Sequence, residues 1–104
     1  MQSEYEERYT LMERAIEDVV EERIRQEAKW GEQNHDPFTY LAILSEEVGE
    51  LAQAALHARF GGSKAAGLYE EAVHTAAVAL AIVECLRRGK WAWPVEASER
   101  YKQD

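Results

Sequence analysis

The sequence predicts an all-α protein, a helical bundle of three main helices per chain, and three observations predict it. Apolar residues recur at steps of three and four through most of the chain. Helix-breaking residues gather around Pro37, around Gly61, Gly62 and Gly67, and around Gly89 and Pro94, which leaves three long uninterrupted pieces. A hydrophobic fraction of 46% with three Trp residues argues for a packed domain rather than a disordered chain. With 104 residues there is material for one domain, residues 1–104.

The first helix is expected over residues 3–28. Tyr9, Met12, Ile16, Val19, Val20 and Ile24 form its apolar stripe, interleaved with Glu and Arg. The connector that follows, Lys29-Trp-Gly-Glu-Gln-Asn-His-Asp-Pro37, is too polar and too rich in turn formers to continue the helix. Pro37 suits the first turn of a second helix with Asp36 as its N-cap, running to about residue 58. Phe60, Gly61 and Gly62 end it. The third helix is expected over residues 65–88, stopped by Gly89, with Arg87 and Arg88 set against the negative end of its dipole. In the tail, residues 89–104, Trp91 and Trp93 flank the approach to Pro94 and would pack on the bundle or on a partner subunit.

The third helix is apolar almost all round between residues 72 and 83, and small residues dominate it. Such a helix needs cover on most sides. Two other helices in so small a chain supply too little, so a homodimer or a homotetramer built around this helix is expected.

The formal charge of -8, from 20 acidic and 12 basic residues, repels nucleic acid polymers and acidic membranes. A small anion remains a permitted ligand if a bound divalent cation reverses the local field. Cys85 is the only cysteine, so no internal disulfide forms and a reducing compartment is expected. Residues 1–8 lack the basic end and apolar run of a signal peptide, and the apolar stretch at residues 72–83 is shorter than a bilayer span. These features predict a cytoplasmic protein.

Three carboxylates occupy positions that a solvated helix face does not explain. Glu47 lies three residues after Leu44 and four before Leu51, inside the apolar stripe of the second helix. Glu50 follows at the border of that stripe, so the helix presents a Glu pair at i, i+3 toward the core. On the third helix Glu71 stands four residues before Thr75 and seven before Val78, again within an apolar face, with His74 as its i+3 neighbour. Inward carboxylates on two adjacent helices need a shared cation, and a hard ion such as Mg²⁺ or Mn²⁺ satisfies them together. Ion pairs to Arg23, Arg25 or Arg59 are the competing account, and His74 taken singly would serve equally as a hydrogen-bonded core histidine. Glu46 has a polar position and would face solvent or support the ligands.

The pattern Glu46-Glu47-x-x-Glu50, followed after 20 residues by Glu71-x-x-His74, resembles the MazG-like, all-α nucleoside triphosphate pyrophosphohydrolases. The resemblance covers residues 26–88. It implies that acidic residues bind Mg²⁺ in a helical core built by two subunits, with Glu47, Glu50 and Glu71 as metal ligands and Glu46 supporting them. The family pattern ends E-x-x-D, and His74 stands where that Asp is expected. The imidazole would ligate a metal, suiting Mn²⁺ better than Mg²⁺, or would bond to a ligating water. The connector Lys29-Trp30-Gly31-x-Gln33-x-His35 resembles the substrate-side segment of some members. Trp30 offers a face for base stacking, Gln33 and Asn34 can hydrogen-bond a base edge, and Lys29 can meet a phosphate. Trp30 as a plain core anchor is the alternative.

The activity this resemblance implies is hydrolysis of an NTP or dNTP at the α-phosphorus, giving the monophosphate and pyrophosphate. Glu46 or Glu50 would take the proton from the attacking water, and Lys29, Arg59 and Lys64 are candidates to clamp the phosphates. Two other readings stand beside it. Glu71-x-x-His74 also has the spacing used in di-iron carboxylate bundles. A helical dimer without turnover, acting as a nucleotide sensor or interaction module, would fit the same fold.

Overall fold

The computed structural model describes residues 2–90. Among them are α1 (Gln2–Trp30), α2 (Pro37–Phe60), one 3-10 turn (Ala65–Gly67) and α3 (Leu68–Arg88), with no strand. The all-α expectation is met. Trp91, Trp93 and Pro94, assigned above to a packing tail, lie outside the described residues.

Helix α1 continues two residues past its expected end, so Lys29 and Trp30 form its last turn rather than the start of a loop. Side-chain polarity does not stop a helix, and a lysine is favourable at the negative end of the dipole. The stop is Gly31, whose φ of +74° is open to glycine without strain, and whose N–H donates to the Glu27 carbonyl at 2.8 Å. Helix α2 begins as the sequence predicts. One carboxylate oxygen of Asp36 accepts the Phe38 N–H at 2.9 Å and the Thr39 N–H at 3.0 Å, and the other accepts the Thr39 hydroxyl at 2.7 Å. Thr39 thereby holds the Asp36 carboxyl below its ordinary pKa. Gly89, left-handed at φ +68°, closes α3 by donating to the Cys85 and Leu86 carbonyls.

Both α1 and α2 pack against α3, which is therefore the shared element of the fold. The core is small: Tyr40, Ala54, Ala77, Val78 and Cys85 are its buried apolar residues. Polar contacts tie helix α1 to α3. Arg23, 9% exposed, donates from Nε to Glu84 of α3 at 2.6 Å and from Nη2 to Glu27 at 2.7 Å, with Gln26 accepting from Nη1 at 3.1 Å. Burial opposes its charge, but the bonds to Glu84 and Glu27 outweigh that and hold its pKa above the ordinary value. Farther toward the start of α1, the Tyr69 hydroxyl of α3 donates to Asp18.

Among the described residues most of the apolar stripe of α1 is exposed, Val19 being half-buried. Tyr5, Tyr9, Met12, Ile16, Val20 and Ile24 are all exposed, Ile16 to 55%. On α3, Val83 and Leu86 are exposed as well. The radius of gyration is 17.3 Å, against roughly 12–13 Å for a compact chain of this length. The segment Ala65–Arg88 is also long and apolar enough, by length and composition alone, to cross a membrane. It is longer than the apolar stretch first read from the sequence, and its Glu84 is engaged by Arg23.

Candidate metal centre

Helices α2 and α3 cross closely where the inward carboxylates lie. The Thr75 hydroxyl donates to the Glu71 carbonyl of its own helix at 2.8 Å and reaches the Glu47 carbonyl of α2 at 3.3 Å. At this crossing Glu47, Glu71 and His74 each aim one ligand atom into the same space, and these atoms lie within 4.8 Å of one another. The three side chains are half-buried. Glu47 Oε2 and Glu71 Oε2 are both buried, with no hydrogen-bond partner among the described residues.

Two of the arginines named in the competing ion-pair account are engaged elsewhere. Arg23 is engaged by Glu84 and Glu27, and Arg25 by Glu22 at 2.7 Å. His74 lies close by, its Nδ1 3.8 Å from Glu71 Oε2. Burial pushes the Glu47 pKa up, and the neighbouring charge of Glu50 adds to the effect, followed by smaller contributions from Glu71 and Glu22; His74 works the other way. A buried, unbonded carboxylate oxygen costs free energy on each of two helices, and a shared cation relieves both costs at once. Two carboxylates and one imidazole form a donor set for a divalent ion, with Mn²⁺ better matched to the imidazole than Mg²⁺.

Glu22 of α1 joins the same neighbourhood. Its Oε2 is 3.8 Å from His74 Nε2, and its side chain is largely buried. Glu70 lies on the other side, 3.7 Å from the same nitrogen. His74 therefore sits among three carboxylates drawn from α1 and α3.

Glu50 is not part of the cluster. It is exposed, whereas the wheel position suggested a side chain facing the core; Ala54, one turn further along α2, is buried, so Glu50 stands at the rim of the covered face. It lines instead a cavity of about 360 Å³ between α2 and the turn into α3, shared with Glu71, Gln53, Ser63 and Lys64. Glu46 is exposed.

A second cavity, of about 150 Å³, opens between the end of α1 and the start of α2. Trp30, Gln33, Gln26, Tyr40 and Arg23 line it, and Glu47 forms part of its wall. Trp30 is 62% exposed, so it is no core anchor; its ring carries the Lys29 ammonium 4.9 Å from the centroid. Gln33 is held through its carbonyl, which accepts the Tyr40 hydroxyl at 2.7 Å and Arg88 Nη2 at 3.0 Å. Arg88 Nε also donates to the Asn34 side chain at 3.0 Å. Asn34 is thus occupied with α3 rather than directed into the cavity. His35 turns toward Tyr40, edge to face at 5.0 Å between centroids, and is not among the residues lining this cavity.

Fold and site together define a class: a helical protein whose two packed helices hold a carboxylate and imidazole cluster between two cavities. No protein-family model, no curated protein and no solved structure matches the chain.

Proposed function

We propose that the chain is a metal-dependent nucleoside triphosphate pyrophosphohydrolase of the MazG-like kind. One observation carries this reading: Glu47 belongs both to the cation-competent cluster and to the wall of the cavity lined by Trp30 and Gln33. A ligand resting against Trp30 would therefore extend toward the cluster. Glu71 has the same double membership on the other side, since it also lines the cavity that holds Ser63 and Lys64.

The donors fit a hard divalent ion, with Glu47, Glu71 and His74 as its holders and Glu22 and Glu70 flanking the imidazole. Such an ion would supply charge neutralisation at the phosphates and a lowered pKa for bound water. The remaining tasks fall to the chain itself. Trp30 offers its exposed face to a base, and the Gln33 and Gln26 amides can bond a base edge. Lys64 is the cation placed to meet a phosphate across from Glu50 and Glu71. Glu50, exposed and beside Glu71, is suited to accept a proton from water.

The bare stripe of α1 and the exposed residues of α3 support self-association, as a homodimer or homotetramer that covers them. The decisive experiment is a pyrophosphate-release screen over canonical and modified triphosphates with Mg²⁺ and Mn²⁺, run on wild type and Glu47→Gln. Turnover that requires metal and disappears in the variant supports the proposal. Failure of every substrate together with an absence of Mn²⁺ binding overturns it, and bound iron with visible absorbance would favour a di-iron bundle.

A further inference from the structure

The turn between α2 and α3, residues 61–64, is built around one imidazole. The Lys64 N–H donates to His57 Nδ1 at 3.0 Å, so the side chain at the end of α2 reaches forward and holds the far end of the turn. The His57 carbonyl meanwhile accepts the Gly61 N–H at 2.8 Å. Between these two bonds lies Gly62, at φ +153°, and a Cβ there would fall well inside contact distance of the His57 Cγ, Nδ1 and Cδ2 atoms. The ring thus fills the space that a side chain at residue 62 would need. Further bonds from Ala65 N–H to the Gly62 carbonyl and from Gly67 N–H to the Lys64 carbonyl carry this order into the start of α3.

The ordered turn has a cargo. It sets Ser63 and Lys64 on one wall of the 360 Å³ cavity, with Glu50, Gln53 and Glu71 on the others. A hydroxyl, an ammonium and a carboxamide supply donors for phosphate oxygens. Two carboxylates would repel an anion unless a cation lies between, so anion binding here must depend on metal.

We infer that His57 is a positioning residue for a pyrophosphate-type ligand: by accepting the Lys64 amide and packing over Gly62, it fixes Ser63 and Lys64 opposite Glu50 and Glu71. This rests on the proposed function and adds to it where the terminal phosphates lie and what holds the Lys64 segment opposite them. His57 itself touches no ligand. Its effect is transmitted through one backbone hydrogen bond.

The test uses the full chain, with Mn²⁺ and inorganic pyrophosphate as probes in calorimetry and the Lys64 amide followed by hydrogen exchange. His57→Phe fills the space without an acceptor, and His57→Asn returns an oxygen near the position of Nδ1. His57→Phe should speed exchange at the Lys64 amide, weaken Mn²⁺-dependent pyrophosphate binding about tenfold and raise KM more than it lowers kcat. Mn²⁺ affinity should stay within about twofold in the same variant, because the ligand set is untouched. His57→Asn should recover most of the loss, which a general packing defect would not allow. Wild type that binds Mn²⁺ and pyrophosphate, with His57→Phe binding both equally well, overturns the role of His57 and leaves the proposed function standing. Wild type that binds Mn²⁺ but no pyrophosphate overturns the cavity assignment, and wild type that binds no Mn²⁺ removes the underlying reading itself.

Discussion

Glu47 and Glu71, from two different helices, meet at the α2 and α3 crossing with one oxygen apiece buried and unbonded. Among the described residues neither oxygen has a hydrogen-bond partner, and the neighbouring imidazole of His74 is shared with two further carboxylates. The pair therefore stores an electrostatic cost that ligand binding can release.

Replacing Glu47 by Gln should stabilise the metal-free protein at neutral pH while abolishing its response to metal. Mn²⁺ affinity should fall by at least roughly tenfold, the lower range for disturbed metal sites. Thermal melts with and without Mn²⁺ read both effects, and an unchanged metal-induced shift would exclude Glu47 as a holder.

The pH dependence has a defined sign. The folded-state pKa of Glu47 lies above the ordinary carboxyl value of 4.5, chiefly through burial, so the protonated form is the one the fold prefers. Its contribution is present below pH 4.5 and is lost as pH rises through the folded value. The metal-free wild type should therefore lose stability relative to Glu47→Gln as pH climbs from about 4.5 toward neutrality. Urea titrations of both proteins at several pH values measure the difference, and Mn²⁺ should reverse it.

Much of this was readable in the sequence, for local reasons. Asp36 before Pro37, and glycines at 61, 62 and 89, place the helix ends by backbone chemistry that needs no tertiary contact. Glu47, Glu71 and His74 stood out because each interrupts an apolar stripe. Glu22 did not stand out, because it lies in the alternating charges of α1 and only its spacing of three from Val19 hinted at a covered position. The exposure of Glu50 was illegible for a different reason: it depends on how wide the covered face of α2 is, and Glu50 falls at its rim while Ala54 one turn on is buried. Trp30 was assigned to a loop because its neighbours are polar, while Gly31 alone decides where α1 stops.

Arg23→Met should cost about 1–3 kcal/mol of stability. It strips Glu84 and Glu27 of their common partner, both of which keep some access to water, so the loss falls short of that for a fully buried pair. Denaturant midpoints at constant m-value would show it. Arg23→Lys should recover only part, since one ammonium cannot reproduce the fork to Glu84, Glu27 and Gln26.

Tyr40→Phe and Arg88→Ala each remove one of the two donors on the Gln33 carbonyl. Nucleotide binding should weaken by roughly threefold to tenfold for each, the worth of one ordinary hydrogen bond, with Mn²⁺ affinity unaltered. Equal losses of metal and nucleotide binding would show that the connector does not act separately from the cluster.

Ile16→Lys places a charge in the middle of the bare α1 stripe. Light scattering after size exclusion should report a smaller species than wild type at the same concentration. A wild type that is monomeric at about 100 μM would rule out self-association through this face.

The uncovered side of α1 has a thermodynamic corollary. If a second copy covers this long amphipathic rod, as proposed, folding is coupled to a second-order encounter. The melting midpoint should then climb with protein concentration, and dilution alone, without denaturant or heat, would be enough to unravel the rod.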